Sequence, residues 1–175
     1  MSAILDITKR RRSIRKFTDV AISNEEIKEL LKPALLSPSS KNKRPWKFIV
    51  TSSKEKLQAI ATCKPFGVKF IADANAAILI TGNHEESDTW VEDCSIAATL
   101  IQWAAEERNI GSTWIQIRGR KAENGDDAEH SLKELFQIPS SESVLAVIAL
   151  GHKEKDRKPY TEEDMDWSKV TFDNE

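Results

Sequence analysis

Cysteine is almost missing from this chain: Cys63 and Cys94 are the only two among 175 residues. They are too few and too unpatterned for the disulfide framework of a small secreted domain. Residues 1–9 lack the charged start and apolar stretch of a secretory signal, so the expected compartment is reducing and cytoplasmic. No apolar run approaches the ~20 residues that span a bilayer, so no membrane partner is expected. The formal charge is only −2, far from the basic excess of a general nucleic-acid binder. His84, His130 and His152 stand far apart without ligand-spaced neighbours, and no metal centre is expected. A Gly-rich dinucleotide loop is also lacking, so a preference for NADH or NADPH is not legible. There is no internal repeat.

What is there is a globular composition, 39% hydrophobic and 31% charged, with length for one domain and a real core. Residues 2–11 read as a first helix with Ile4 and Ile7 as its apolar face. Ser23 followed by Glu26 is a capping box. It opens a helix with apolar positions at Ile27, Leu30, Leu31, Ala34 and Leu35; Pro33 inside it predicts a kink or an end near Lys32. Residues 47–51 read as a strand, and Ser53 caps a short helix through Leu57 and Ile60. Residues 76–82 and 144–151 are continuous apolar runs suited to strands buried on both faces. Residues 113–117 form a fourth, mixed strand, and residues 128–136 a helix that ends before Pro139.

The helix over residues 91–109 is apolar around most of its circumference, with Ser95, Thr99, Gln102 and Glu106 on one narrow polar line. Such a helix has to be buried on several sides, in part against a second chain. Gly111 is its expected stop, and the polar stretch 118–129 reads as a surface loop. Helices alternate with strands, so the class is a layered α/β or α+β sandwich.

Two short stretches carry the chemistry. Arg11, Arg12, Ser13 and Arg15 gather guanidiniums and a hydroxyl within five positions, the inventory for holding a phosphate. The same run also suits a solvated face, the cationic end of the first helix, or a basic interaction arm. Pro38, Ser39, Ser40 and Asn42 form a polar turn before Pro45 and Trp46, which local backbone preferences alone can produce. Their order adds what each lacks singly.

Arg-Arg-Ser-Ile-Arg-Lys-Phe, a capped helix, then Pro-Ser-Ser-x-Asn-x-x-Pro-Trp before Phe-Ile-Val resembles the FMN-dependent nitroreductase family. Residues 91–98, 109–115, 147–152 and 157–159 resemble that family's buried helix, its following turn and strand, its closing strand and its basic tail, in collinear order. The resemblance implies an α+β, three-layer sandwich whose central, mostly antiparallel sheet is flanked by helices. It implies a single FMN-binding domain over residues 1–175, with residues 160–175 a C-terminal tail, working as a homodimer with FMN at the subunit interface. Arg11, Ser13 and Arg157 would hold the phosphate, Arg12 would add contacts beside them, and Arg15 would face the pyrimidine edge of the flavin. Pro38, Ser39, Ser40 and Asn42 would reach the ring or ribityl chain from the second subunit. Trp114, Ile115 and Gln116 would pass the ring and supply a backbone donor to N5.

The implied activity is an NAD(P)H-dependent flavin oxidoreductase passing hydride to a nitroaromatic, quinone or similar small organic acceptor, with no obligatory catalytic side chain. An FMN store or redox sensor without nicotinamide turnover is the alternative. Arg44 stands where the family commonly has Gln. The 118–129 loop replaces the longer members' helical insertion, which implies a compact member with a more open pocket. Lys69 is a further candidate for flavin contact, against a plain surface role.

Overall fold

The computed structural model describes residues 2–173; the last two residues of the expected C-terminal tail, and Met1, lie outside them. Four strands form one antiparallel sheet: β1 (Trp46–Thr51), β2 (Ala76–Asn83), β3 (Ile110–Gln116) and β4 (Glu142–His152), in the order β1-β2-β4-β3. The apolar runs take the centre as β2 and β4, because a central strand has both faces covered. One face carries α1 (Ala3–Arg10), α2 (Asn24–Leu35) and α4 (Trp90–Glu107); the other carries α3 (Lys54–Ile60), α5 (Glu129–Phe136) and a 3-10 turn at Lys69–Asp73. This is the expected three-layer α+β sandwich.

The pleat sorts the core into two halves. Ile78, Ile80 and Ile148 pack under α2 and α4, while Leu79, Val147 and Ala149 pack under α3 and α5. Ala97, Ala98, Ala104 and Ala105 are buried along α4, and such small side chains let a helix axis lie close to a sheet. A register shift at Ile80/Thr81 leaves Leu145 of β4 as an extra residue. Its carbonyl accepts from both Ile117 N (3.2 Å) and Arg118 N (3.0 Å), so the bulge turns the chain out of β3 toward the 118–129 loop.

Local signals placed most boundaries. Ser23 and Glu26 satisfy each other's amides at the start of α2, and the Ser53 hydroxyl accepts from Lys56 N at the start of α3. Two expectations need correction. α2 does not stop at Lys32 but continues to Leu35: at Pro33 the helix is two residues from its end, and one lost backbone bond is tolerable there. α4 ends at Glu107, and Asn109, at φ 57°, is the left-handed residue after it, a conformation that Asn adopts readily. Gly111 lies inside β3 instead, where a Cβ would come within 2.8 Å of Ile14. On the polar line of α4, Gln102 and Glu106 are buried, whereas the apolar Ile96 is 41% exposed.

Candidate functional site

The segment after α1 is laid across the ends of β3 and β4. Ile14 N donates to Ser112 O (3.0 Å), Thr18 N to His152 O (2.9 Å) and Glu154 N to Lys16 O (3.3 Å). The approach requires Gly111 beneath Ile14 and Gly151 beneath Phe17, where a Cβ would stand 2.4 Å from the ring. Ile14 is thereby buried, and Arg15 and Lys16 face outward. With Ser13, Lys155 and Arg157 they line a cleft of ≈ 280 Å³.

Around it, cations are matched by acids. Lys153 meets both oxygens of Glu106 at 3.0 Å, the two side chains being 7% and 5% exposed, and Arg10 reaches Glu106 at 3.3 Å. Inside the cleft, Arg15, Lys16, Lys155 and Arg157 have no acidic partner among the described residues. Four unmatched cations and a hydroxyl suit a dianion such as a phosphate monoester. Arg15 also lies over the Phe70 ring, 5.7 Å from its centroid. Arg11 is half-buried, its amide closing α1 onto Ile7 O at 2.8 Å. Arg12 is drawn away: its guanidinium sits 4.3 Å from the Tyr160 centroid and donates to Lys158 O.

The turn before β1 is built differently. Ser40 N donates to buried Asp93 Oδ1 at 2.9 Å, and Thr89 Oγ1 donates to the other oxygen at 3.3 Å. Arg44 folds back on the turn, its N donating to Ser39 Oγ (3.0 Å) and its Nε to Asn42 Oδ1 (2.9 Å). Lys41, Asn42 and Arg44 hold φ of 51°, 56° and 51°, a region that side chains disfavour. Pro38 is exposed, and the buried Ser37 hydroxyl beside it has no hydrogen-bond partner among the described residues. The Asn42 amide N–H groups and the Ser39 and Ser40 hydroxyls stay available as donors.

β3 is an edge strand. Ser112 O faces outward to Ile14, and the two-residue period puts the backbone of Trp114 and Gln116 on that same outer edge. Gln116 O accepts from Lys64 Nζ at 2.9 Å, which leaves the Gln116 N–H beside an ammonium. Burial, with Arg120 nearby, holds the Lys64 ammonium below the usual lysine range, the neighbouring Cys63 opposing this. Trp114 Nε1 donates to Gln116 Oε1 and Gln116 Nε2 to Arg118 O, both at 2.9 Å. The Ile115 side chain is buried in the core and its backbone groups turn inward to Val147 of β4, so it only spaces the outward groups of Trp114 and Gln116. Lys69 is exposed. Lys64 was invisible in the sequence, because its partner is 52 residues away and nothing in Cys-Lys-Pro marks it.

One chain thus brings together Arg15, Arg157, Ser13 and the Gln116 edge. Ser112 and Gln116 are four residues apart on β3, about 13 Å, so an elongated ligand can lie along that edge with its anion in the cleft. Pro38, Ser39, Ser40 and Asn42 lie elsewhere. Their anchor Asp93 and the cleft-side Glu106 are about 20 Å apart along α4, and β1 lies on the opposite edge of the sheet from β3. Among the described residues no group of three or more His, Cys, Asp or Glu is placed to hold a metal ion, and no helix is long and apolar enough to cross a membrane.

Residues 8–63 and 62–152 match the model of the nitroreductase family. A protein of Archaeoglobus fulgidus, provisionally named NADH dehydrogenase/NAD(P)H nitroreductase, is 37% identical over 168 residues, covering 94% of this chain and 92% of that protein. An FMN-dependent nitroreductase of Clostridium difficile R20291 superposes with a TM-score of 0.94 at 42% identity, over 97% of this chain and 99% of the other. A provisionally named nitroreductase of Desulfovibrio desulfuricans, solved in complex with FMN, superposes with a TM-score of 0.75 at 25% identity, over 89% and 88% of the two chains.

Proposed function

The chain belongs to the nitroreductase family, and from that premise we propose that it is a homodimeric, NAD(P)H-dependent FMN oxidoreductase acting on a nitroaromatic, quinone or similar small organic acceptor. The observation that carries this is the cleft of four unmatched cations continuous with an outward backbone edge. That combination fits a flat ring on a phosphate-bearing chain. FMN supplies the redox chemistry, taking a hydride equivalent from NAD(P)H and handing it on.

The residues hold and tune. Arg157 and Arg11 neutralise the phosphate and the Ser13 hydroxyl donates to it, while Arg12, held by Tyr160 and Lys158 O, stays outside the cleft. Arg15 stands at the pyrimidine edge, where a cation favours the charge that reduction brings. The Gln116 N–H, flanked by Trp114 and Ile115 on β3, donates at the ring's N5, and Lys64 fixes that peptide. Pro38, Ser39, Ser40 and Asn42 close over the ring from the second chain, since within one chain they lie beside β1, on the opposite edge of the sheet from β3.

Exposed apolar groups support pairing of two chains. Ile96 on α4, Ile4 on α1 and Leu36 after α2 are 41%, 60% and 79% exposed, apolar side chains of one helical layer that a second chain would cover. A single FMN-binding domain spanning the chain, in the reducing cytoplasm, completes the reading.

The test is the visible absorption spectrum before and after FMN loading and re-isolation, followed by NAD(P)H oxidation with an added acceptor. Retained flavin with turnover is expected. Retained flavin without turnover would make the protein an FMN store or sensor, and a protein that refuses FMN would remove the reading altogether.

A further inference from the structure

Near the β3 edge lies a cavity larger than the cationic cleft, ≈ 460 Å³ against ≈ 280 Å³, lined in part by Trp90, Ile117, Arg118, Arg120, Asp127 and Glu129. It begins one residue beyond Gln116, under the loop that replaces the family's helical insertion. Its volume suits part of a nucleotide. Resting on the oxidoreductase reading, we infer that this cavity receives the adenosine end of the reduced dinucleotide and selects NADPH over NADH through Arg118 and Arg120.

The lining groups argue for a phosphate rather than a ribose diol. A free carboxylate is what recognises an unmodified ribose, and an arginine what accepts a 2′-phosphate. Here the carboxylates are engaged. Asp127 pairs with Lys121 at 2.8 Å, and Glu129 accepts from Val144 N at 2.8 Å with Lys133 at 3.9 Å. Arg118 and Arg120 have no acidic partner among the described residues. Two guanidiniums with planar donor forks match a phosphate monoester.

The half-buried Trp90 offers a face for adenine, and Arg118 already stands over it, 5.8 Å from the ring centroid. His84 Nδ1 lies 3.3 Å from Ser143 Oγ at the rim, two further polar groups for a ribose. The cavity adjoins the flavin edge: Gln116 Nε2 donates to the carbonyl of Arg118, a lining residue, at 2.9 Å, and Gln116 O accepts from Lys64. A dinucleotide whose nicotinamide reaches the Gln116 edge therefore has its other end within reach of Arg118.

Equilibrium titration with NADP⁺ and with NAD⁺, followed by tryptophan fluorescence on the FMN-loaded protein, reads this directly. NADP⁺ should bind about tenfold or more tightly than NAD⁺. In the Arg118→Ala/Arg120→Ala double variant that ratio should collapse toward one, with the flavin spectrum unchanged as a check on folding. Arg118→Lys/Arg120→Lys should keep part of the preference, because charge survives and the bidentate fork does not. Equal affinities in the wild type, or a preference that survives the double alanine variant, overturns the inference. Failure of the flavin reading shows separately, as a protein that retains no FMN, and the same two titrations still decide the cavity's selectivity.

Discussion

The cleft at Arg15 and Arg157 and the turn at Pro38–Pro45 are both polar, both basic and both near helix ends, yet their groups are spent differently. In the cleft the cations are held apart by backbone bonds from Ile14, Thr18 and Glu154 and keep their charge unmatched. In the turn, Ser39, Asn42 and Arg44 bond one another, Ser40 is tied to Asp93, and three left-handed residues fix the path. One region is therefore a charge store and the other a shaped, self-satisfied wall. For a site built from both, the cleft supplies affinity and the turn supplies fit.

The largest expected effect lies under the cleft. Glu106→Gln leaves the buried Lys153 ammonium with only the exposed Asp156, at 3.1 Å, and should cost about 3 kcal/mol of stability, read by urea unfolding; a loss below about 1 kcal/mol would mean that Asp156 or water replaces the lost carboxylate. Next comes the cleft itself. Arg15→Ala/Arg157→Ala should weaken FMN binding about a hundredfold, and wild-type binding should weaken with added salt. Both arginines are exposed, so melting of the flavin-free protein should hardly move.

In the turn, Asp93→Ala removes the acceptor of Ser40 N and Thr89 Oγ1, at about 2 kcal/mol. Amide exchange should rise at residues 39–44 and not in the cleft. The smallest effect is Lys41→Gly. Lys41 is exposed at φ 51°, so glycine should stabilise by about 0.5 kcal/mol. Destabilisation there would show that the side chain, not the path, matters.

How much of this was legible follows the range of each interaction. The Ser23–Glu26 box, the Ser53 cap and the apolar runs of β2 and β4 are local signals, and each was readable. Pro33 misled because a proline rule weighs one lost bond without seeing the packing of Leu30 and Ala34 beneath it. Glu106 was placed only on a polar line of its helix, because its partner Lys153 is 47 residues away. The site divides in the same way. The residue types of the cleft and the turn were visible in the sequence. The opposite placement of β1 and β3, which separates the two groups within one chain, depends on a strand order that no local pattern encodes. Lys64 and the cavity under Arg118 depend on it too.

The central claim is that one flavin site needs two chains. Sedimentation velocity of the FMN-loaded protein, recorded at the visible absorbance of the flavin and in the ultraviolet, tests it most directly. The flavin should travel with a dimer at one FMN per chain and leave it when dilution yields monomers. A compact monomer that keeps stoichiometric FMN would contradict it.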